Sequence, residues 1–132
     1  MAGYSATPLA KKLSLKPGLR TWWEGMPESV AAEIGDAGLD LLHTPDPPID
    51  AAHIFVTERA RLDAALAFLR PILAPAGFVW ISWPKKAAKV PTDISEDAIR
   101  AACLPLGLID VKVCAVDSVW SGLKLMIRRE LR

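Results

Sequence analysis

The spacing of hydrophobic positions changes several times along this 132-residue chain, and each change predicts an element. Leu62, Leu66, Leu69 and Leu73 recur at four, three and four residues, which is one face of a helix. Leu123, Leu125 and Ile127 alternate with Lys124, Met126 and Arg128, which is the period of a strand. Leu108 to Asp117 alternates too, with Ile109, Val111, Val113 and Ala115 on one face. Ala51 to Val56 is apolar apart from His53, and Phe78 to Trp83 is strongly apolar. Such runs suit strands covered on both faces.

Turn and cap residues supply the boundaries. Thr7-Pro8 reads as an N-cap and first helical position, and Lys16-Pro17-Gly18 closes that short helix. Leu19 to Glu24 is a strand candidate, broken by Gly25-Met26-Pro27. Glu28 to about Gly35 reads as a helix, and Leu39 to His43 as a short strand. The prolines of Thr44-Pro45-Asp46-Pro47-Pro48 make a turn. Thr57 can cap the leucine-striped helix, and Pro71 ends or kinks it near Arg70. Ala74 to Gly77 reads as a turn. Ser95 is an N-cap with Glu96 and Asp97 in the first turn, Ile94 and Ile99 form a staple, and Gly107 closes the helix. The order α β α β β α β α β β predicts one domain over residues 1–132, a three-layer α/β fold. Its sheet is mostly parallel. The last two strands, joined by about five residues, form an antiparallel hairpin, because a parallel crossover needs a dozen or more.

Composition narrows the class. Hydrophobic residues make up 52% and charged residues 23%, as in globular chains and unlike disordered ones. No apolar stretch approaches the roughly 20 residues that span a bilayer. The N-terminus shows no leader pattern, so a cytoplasmic location is expected. The net charge of +1 drives neither nucleic-acid nor membrane binding. Its distribution is uneven: Thr21 to Glu58 contains acids but no Lys or Arg. Cys103 and Cys114 lie in apolar surroundings and read as small hydrophobes. With His43 and His53 they complete no zinc pattern. His53, inside an apolar strand, reads as a hydrogen-bonded core residue. There is no G-x-S-x-G and no P-loop. Trp22 and Trp23 are neighbours on one strand and point to opposite faces, so one of them is available to a protein partner or a homodimer.

Candidate chemistry collects at one edge. In open α/β sheets ligands bind outside the carboxyl ends of the parallel strands. Trp83-Pro84 ends such a strand, and Lys85, Lys86 and Lys89 follow with no acid among them. The helix from Ser95 starts at the same edge, and its N-terminus favours anions. The hairpin turn belongs there too. Trp83, Lys85, Lys86, Lys89, Thr92, Asp93, Asp117, Trp120, Ser121 and Lys124 thus form one expected neighbourhood for a small anionic ligand, a phosphate or a carboxylate. The competing reading is a solvated loop whose lysines pair with Asp93 or Asp117. Glu24 ends the first strand at this edge, as a base, a ligand contact or a helix cap.

A parallel α/β sheet ending in an antiparallel hairpin is similar to the Rossmann-like fold of S-adenosylmethionine-dependent methyltransferases. "LKPGLRTWWEG" resembles the approach to their first strand, and "ILAPAGFVWISWPK" their turn and fifth strand. The resemblance implies a glycine-rich loop after the first strand and an acid ending the second. Here those places hold Glu24-Gly25-Met26-Pro27, with one glycine, and Asp46 behind a proline. The implied S-adenosylmethionine site is therefore degenerate, and the chain is short for a methyltransferase with a substrate-recognition region. The chain also resembles a bacterial family of small domains of unknown function, through "GYSATPLAKKLSLKPG", "WPKK" followed by "TD", and "LIDVKVCAVDSVWSGLKL". That resemblance implies the same fold and no established activity. The expected function is a non-catalytic binding or regulatory domain for a small anionic ligand or a protein partner, without a cofactor; the alternative is a minimal methyltransferase holding S-adenosylmethionine through Glu24 and Gly25.

Overall fold

The computed structural model describes residues 7–132. The first residues of the N-terminal stretch, 1–6, on which the leader reading partly rests, lie outside the described ones. Six strands form one sheet in the order β2-β1-β3-β4-β6-β5. They are β1 (Arg20–Glu24), β2 (Asp40–Leu41), β3 (Ile49–Phe55), β4 (Leu73–Pro84), β5 (Leu108–Ala115) and β6 (Trp120–Ile127). The first four are parallel, and β6 runs antiparallel to both β4 and β5. Helices α1 (Leu9–Lys12) and α2 (Glu28–Ile34) cover one face, and α3 (Arg59–Leu69) and α4 (Glu96–Cys103) the other. The expected mixed three-layer α/β architecture is what the chain adopts. Among the described residues no helix is long and apolar enough to cross a membrane.

The layers follow from alternation along the central strands. Ala52, Ile54, Val79 and Ile81 face α3 and α4, where Leu62, Leu66, Leu69 and Ile99 meet them. Ala51, Phe55, Phe78 and Trp80 face α1 and α2, where Leu9, Leu13, Val30 and Ile34 meet them. Trp80 Nε1 donates to the Leu13 carbonyl at 3.0 Å and fixes α1 on the sheet. Trp22 packs into the first cluster and Trp23 into the second, so each is partly buried against its own layer.

Several boundaries differ from expectation. Pro8, not Thr7, is the N-cap of α1, and its carbonyl accepts from Lys11 and Lys12 N–H. Thr57 does not cap α3, whose N-cap is Glu58. Ala74 to Gly77 is no turn but an irregular part of β4, for Leu73 pairs with Ile49 and Phe78 already with Ala51. Gly77 permits that bulge, since a Cβ there would lie 2.8 Å from the Ile49 oxygen. The even alternation of β5 also fails. The register shifts between Asp110 and Lys112, so Ile109 pairs with Met126 and Val113 with Leu123, which face opposite layers. A bulge and a lysine on an edge strand discourage pairing with another chain.

His53 and Ser82 are buried polar residues in the central strands, and His53 Nε2 lies 2.7 Å from Ser82 Oγ. The imidazole stacks on Phe55 at 4.4 Å between centroids. Burial lowers its pKa from 6.5 to about 3, so the ring is neutral at pH 7. The unfolded chain takes up this proton before the folded one does. Stability from this residue is therefore present above pH 6.5 and is lost as pH falls toward about 3. In that window the slope approaches about 1.4 kcal/mol per pH unit. His53→Gln should flatten the loss of stability below pH 6.5, as read by urea unfolding at several pH values; an acid slope equal to that of the parent would refute the assignment.

Candidate functional site

Parallel strands place their carboxyl ends along one edge, where β1 ends at Glu24, β3 at Phe55 and β4 at Pro84. The β5–β6 hairpin turn reaches the same edge, because Trp120 pairs with Pro84. Lys85 N–H continues that ladder by donating to the Val119 carbonyl at 2.7 Å. Residues 86–88 then make one 3-10 turn, closed by Lys89 in the left-handed region at φ 55°. Ser95 caps α4 as expected, its hydroxyl accepting from Ala98 N–H at 3.1 Å, with Ile94 and Ile99 buried beside it.

The expected neighbourhood divides into parts. Trp83, Lys85, Lys86, Lys89 and Thr92 line one cleft of about 550 Å³, together with Ser95 and Glu96 at the start of α4. Among the described residues none of the three lysines makes an ion pair or a side-chain hydrogen bond. Asp93 does not pair with them. Its carboxylate accepts from Arg59 N–H at 2.6 Å and so caps α3 from outside that helix. Thr92 Oγ donates to the Thr57 carbonyl at 2.6 Å and accepts from Ile94 N–H at 3.1 Å. These bonds tie the lysine loop to the start of α3.

Asp117 does not reach the lysines either. Its Oδ1 accepts from the N–H groups of Val119 and Trp120 at 2.8 and 2.7 Å and shapes the hairpin turn. Trp120 lies across the sheet from the cleft, edge-on to Phe55 at 5.1 Å, within the cluster under α1 and α2. Ser121 pairs with Trp83 in the β4–β6 ladder. Lys124 is set back from the edge. It pairs with Trp80 in the ladder, and its ammonium donates to Ser14 Oγ at 3.0 Å, beside α1. The hairpin reverses at the edge, so each step along β6 carries the chain away from it.

Glu24 and Gly25 stand apart, at the end of β1. Glu24 faces Arg61 of α3, Oε2 to Nη2 3.7 Å, across a hollow of about 350 Å³ that Ala64 and Phe68 also line. Gly25 has φ 69°, and a Cβ there would lie 2.9 Å from the Phe55 oxygen, so the turn after β1 admits no side chain. Arg61 was not singled out from sequence. The signal was available, because the helix after β3 must start at the carboxyl edge, and Arg61 lies in its first turn.

The second-strand acid is displaced. β2 pairs with β1 only at Arg20↔Asp40 and Thr21↔Leu41, three residues short of Glu24. The chain then doubles back. The carbonyls of Asp46 and Pro48 accept from the Arg20 guanidinium at 3.1 and 2.8 Å, at the amino end of β1. Asp46 therefore stands at the opposite end of β1 from Gly25.

Both cysteines are free thiols, Cys103 buried and Cys114 half-buried. Burial raises the Cys103 pKa to about 11, and that of Cys114 is raised mainly by burial as well. Among the described residues no three His, Cys, Asp or Glu side chains gather as metal ligands.

With this geometry in hand, the chain superposes on solved structures of methyltransferases. A S-adenosylmethionine-dependent methyltransferase from Aquifex aeolicus matches with a TM-score of 0.63 and 16% identity, over 90% of this chain and 87% of that one. Fibrillarin from Aeropyrum pernix, solved with bound S-adenosylmethionine, matches with a TM-score of 0.61 and 13% identity, over 91% of this chain and 69% of that one. Magnesium protoporphyrin IX methyltransferase from Synechocystis, also with the cofactor bound, gives 0.57 and 12%, over 89% and 73%. The fold is the methyltransferase fold. No protein-family model and no curated protein sequence matches the chain, so the resemblance to a bacterial family of small domains rests on its three stretches alone. The shortness seen in the sequence has a counterpart in the Aquifex protein, most of which this chain covers.

Two outcomes test the site's framework. Asp93→Ala should cost about 1 kcal/mol through the lost cap of α3, measured by urea unfolding. Gly25→Ala should cost about 1–3 kcal/mol, because the left-handed turn and the Phe55 carbonyl both oppose a Cβ. A neutral result for either variant would contradict the contact it removes.

Proposed function

We propose that this chain is a minimal S-adenosylmethionine-dependent methyltransferase, with its cofactor region over the carboxyl ends of β1 and β3. The observation that carries the reading is the extent of the fold match, 90% of this chain on 87% of the Aquifex methyltransferase. A domain of this size therefore accommodates most of that framework. The cofactor, when bound, supplies an electrophilic methyl group.

The residues present fit part of such a site. Gly25 keeps the backbone after β1 free of a side chain, which favours close approach of a ligand. The second-strand acid does not fit, since Asp46 is held at Arg20. Glu24 is the carboxylate on β1 at the correct end, and in this reading it contacts the ligand in place of Asp46. Its present partner, Arg61, is a long ion pair in solvent that contributes at most about 1 kcal/mol, so Glu24 is released at little cost. The lysine cleft lies at the end of β4, next to β3, and suits an anionic part of the methyl acceptor.

A second reading keeps the cleft and drops the transfer: a binding or regulatory domain for a small anion. The displacement of Asp46 and the three lysines without acidic partners favour it.

A thermal melt with S-adenosylhomocysteine separates the two. Ligand at a hundred times its dissociation constant stabilises a fold by about 2.7 kcal/mol, which for a domain of this size is several degrees. The methyltransferase reading expects that rise, and expects Glu24→Gln to remove it while the unliganded midpoint stays within a degree or so of the parent. No rise at millimolar ligand would overturn it. The anion reading expects phosphate binding at the cleft that Lys85→Glu with Lys86→Glu removes without changing the melting temperature. Unchanged phosphate affinity in that variant would overturn it.

A further inference from the structure

Lysines distant in sequence gather on the face of the sheet that α1 and α2 cover, opposite α3 and α4. Lys11 and Lys12 come from α1, Lys16 from the segment after it, Lys112 from β5 and Lys124 from β6. Among the described residues none of these lysines enters an ion pair. Three ammonium groups are instead held by neutral oxygens. Lys12 Nζ donates to the Ala115 carbonyl, Lys112 Nζ to the Lys12 carbonyl and Lys124 Nζ to Ser14 Oγ, each at 3.0 Å.

Lys11, Ser14, Lys16 and Lys124 line a hollow of about 480 Å³, with Phe78 and Met126 as its apolar part. Lys124 lies over the Phe78 ring, 4.5 Å from its centroid. Ser14 is a non-glycine residue at φ 62°, an unfavourable left-handed conformation, and in it the hydroxyl meets Lys124. The surroundings of Lys124 oppose its charge: burial lowers its pKa first, and the charges of Lys112 and Lys16 lower it further. Asp36 lines the adjoining hollow with Lys11 and Lys16, but its Oδ1 accepts from Gly38 N–H.

We propose that this hollow binds a multiply charged phosphate group, at a site separate from the lysine cleft at the carboxyl edge. Like charges held close without a counterion repel, and an anion placed among them converts that repulsion into attraction. Because Ser14 Oγ already holds the Lys124 ammonium at the hollow, an anion gains that charge with little further loss of side-chain freedom. A monoanion would balance one lysine only, whereas a pyrophosphate-type group matches several at once. Long polyanions fit less well, since the net charge is only +1 and the stretch from Thr21 to Glu58 is purely acidic.

The experiment isolates this site from the carboxyl-edge cleft. In a variant carrying Lys85→Gln, Lys86→Gln and Lys89→Gln, pyrophosphate is titrated at constant ionic strength and followed by thermal melts and calorimetry. Saturable binding with a rise in melting temperature is expected. Adding Lys124→Met, which keeps the aliphatic stem over Phe78, should weaken it about tenfold or more, equivalent to about 1.4 kcal/mol. Lys16→Gln alters an exposed side chain only and should weaken binding in a protein of unchanged stability, so the test stands even if Lys124→Met fails to fold. No saturable binding in the parent variant, or equal affinity after Lys16→Gln, would overturn the site. Neither result depends on S-adenosylhomocysteine binding, which is read separately.

Discussion

The parallel pairing of β3 with β4 is the constraint on which the carboxyl edge depends. From Ala51↔Phe78 to Phe55↔Ser82 the two strands run in register, and nearly every side chain is buried on one face or the other. A slip of one residue would turn each of those side chains to the wrong layer. His53 and Ser82 help to exclude such a slip. Each is a buried polar group whose side-chain partner is the other, and losing that bond strands both. Gly77 completes the constraint by letting β4 bulge where it first meets β3. With this pair fixed, the ends of β3 and β4 fall side by side, and the loops that leave them must meet.

That meeting explains why the lysine loop has a defined shape although it is exposed. Thr92 bonds to Thr57, and Asp93 caps α3 through Arg59 N–H. The acid that looked like a counterion for the lysines is spent on a helix terminus, where a carboxylate is stabilised by free N–H groups and by the helix dipole. The lysines are left without internal partners for this reason. Their positive charge is a by-product of how α3 is capped, and it persists whether or not a ligand uses it.

Much of the fold was legible because its signals are local. The leucine stripe of α3, the Ser95 cap and the short final connection each specify an element without outside help, and the layer order follows from their succession. The failures have a common physical cause, which is that pairing overrides local pattern. Ala74 to Gly77 carries turn residues but is drawn into β4 by β3. Ile109 and Val113 look like one face of β5 until the bulge at Val111 separates them. The site was legible only as an edge. Chain direction placed Trp83 and the three lysines together, but it could not show which acids were already engaged, nor that Lys124 and Trp120 lie off the cleft.

The placement of Asp46 follows from how short β2 is, and the core does not depend on it. β2 is an edge strand of two exposed residues and adds little to the core. Arg20 gathers the returning loop: its guanidinium donates to two carbonyls and its backbone N–H to Asp50 Oδ2 at 2.9 Å. A β2 that ends beside Thr21 contributes no wall to the carboxyl edge, which β1, β3 and β4 form. The consequence is chemical and not structural. In the proposed reading, a ligand at this edge would meet Gly25 and Glu24 after β1 and the lysines after β4, while Asp46 stays at Arg20. The uncompensated charge at this edge is the cationic charge of Lys85, Lys86 and Lys89, so an anionic group is what the proposed site would select.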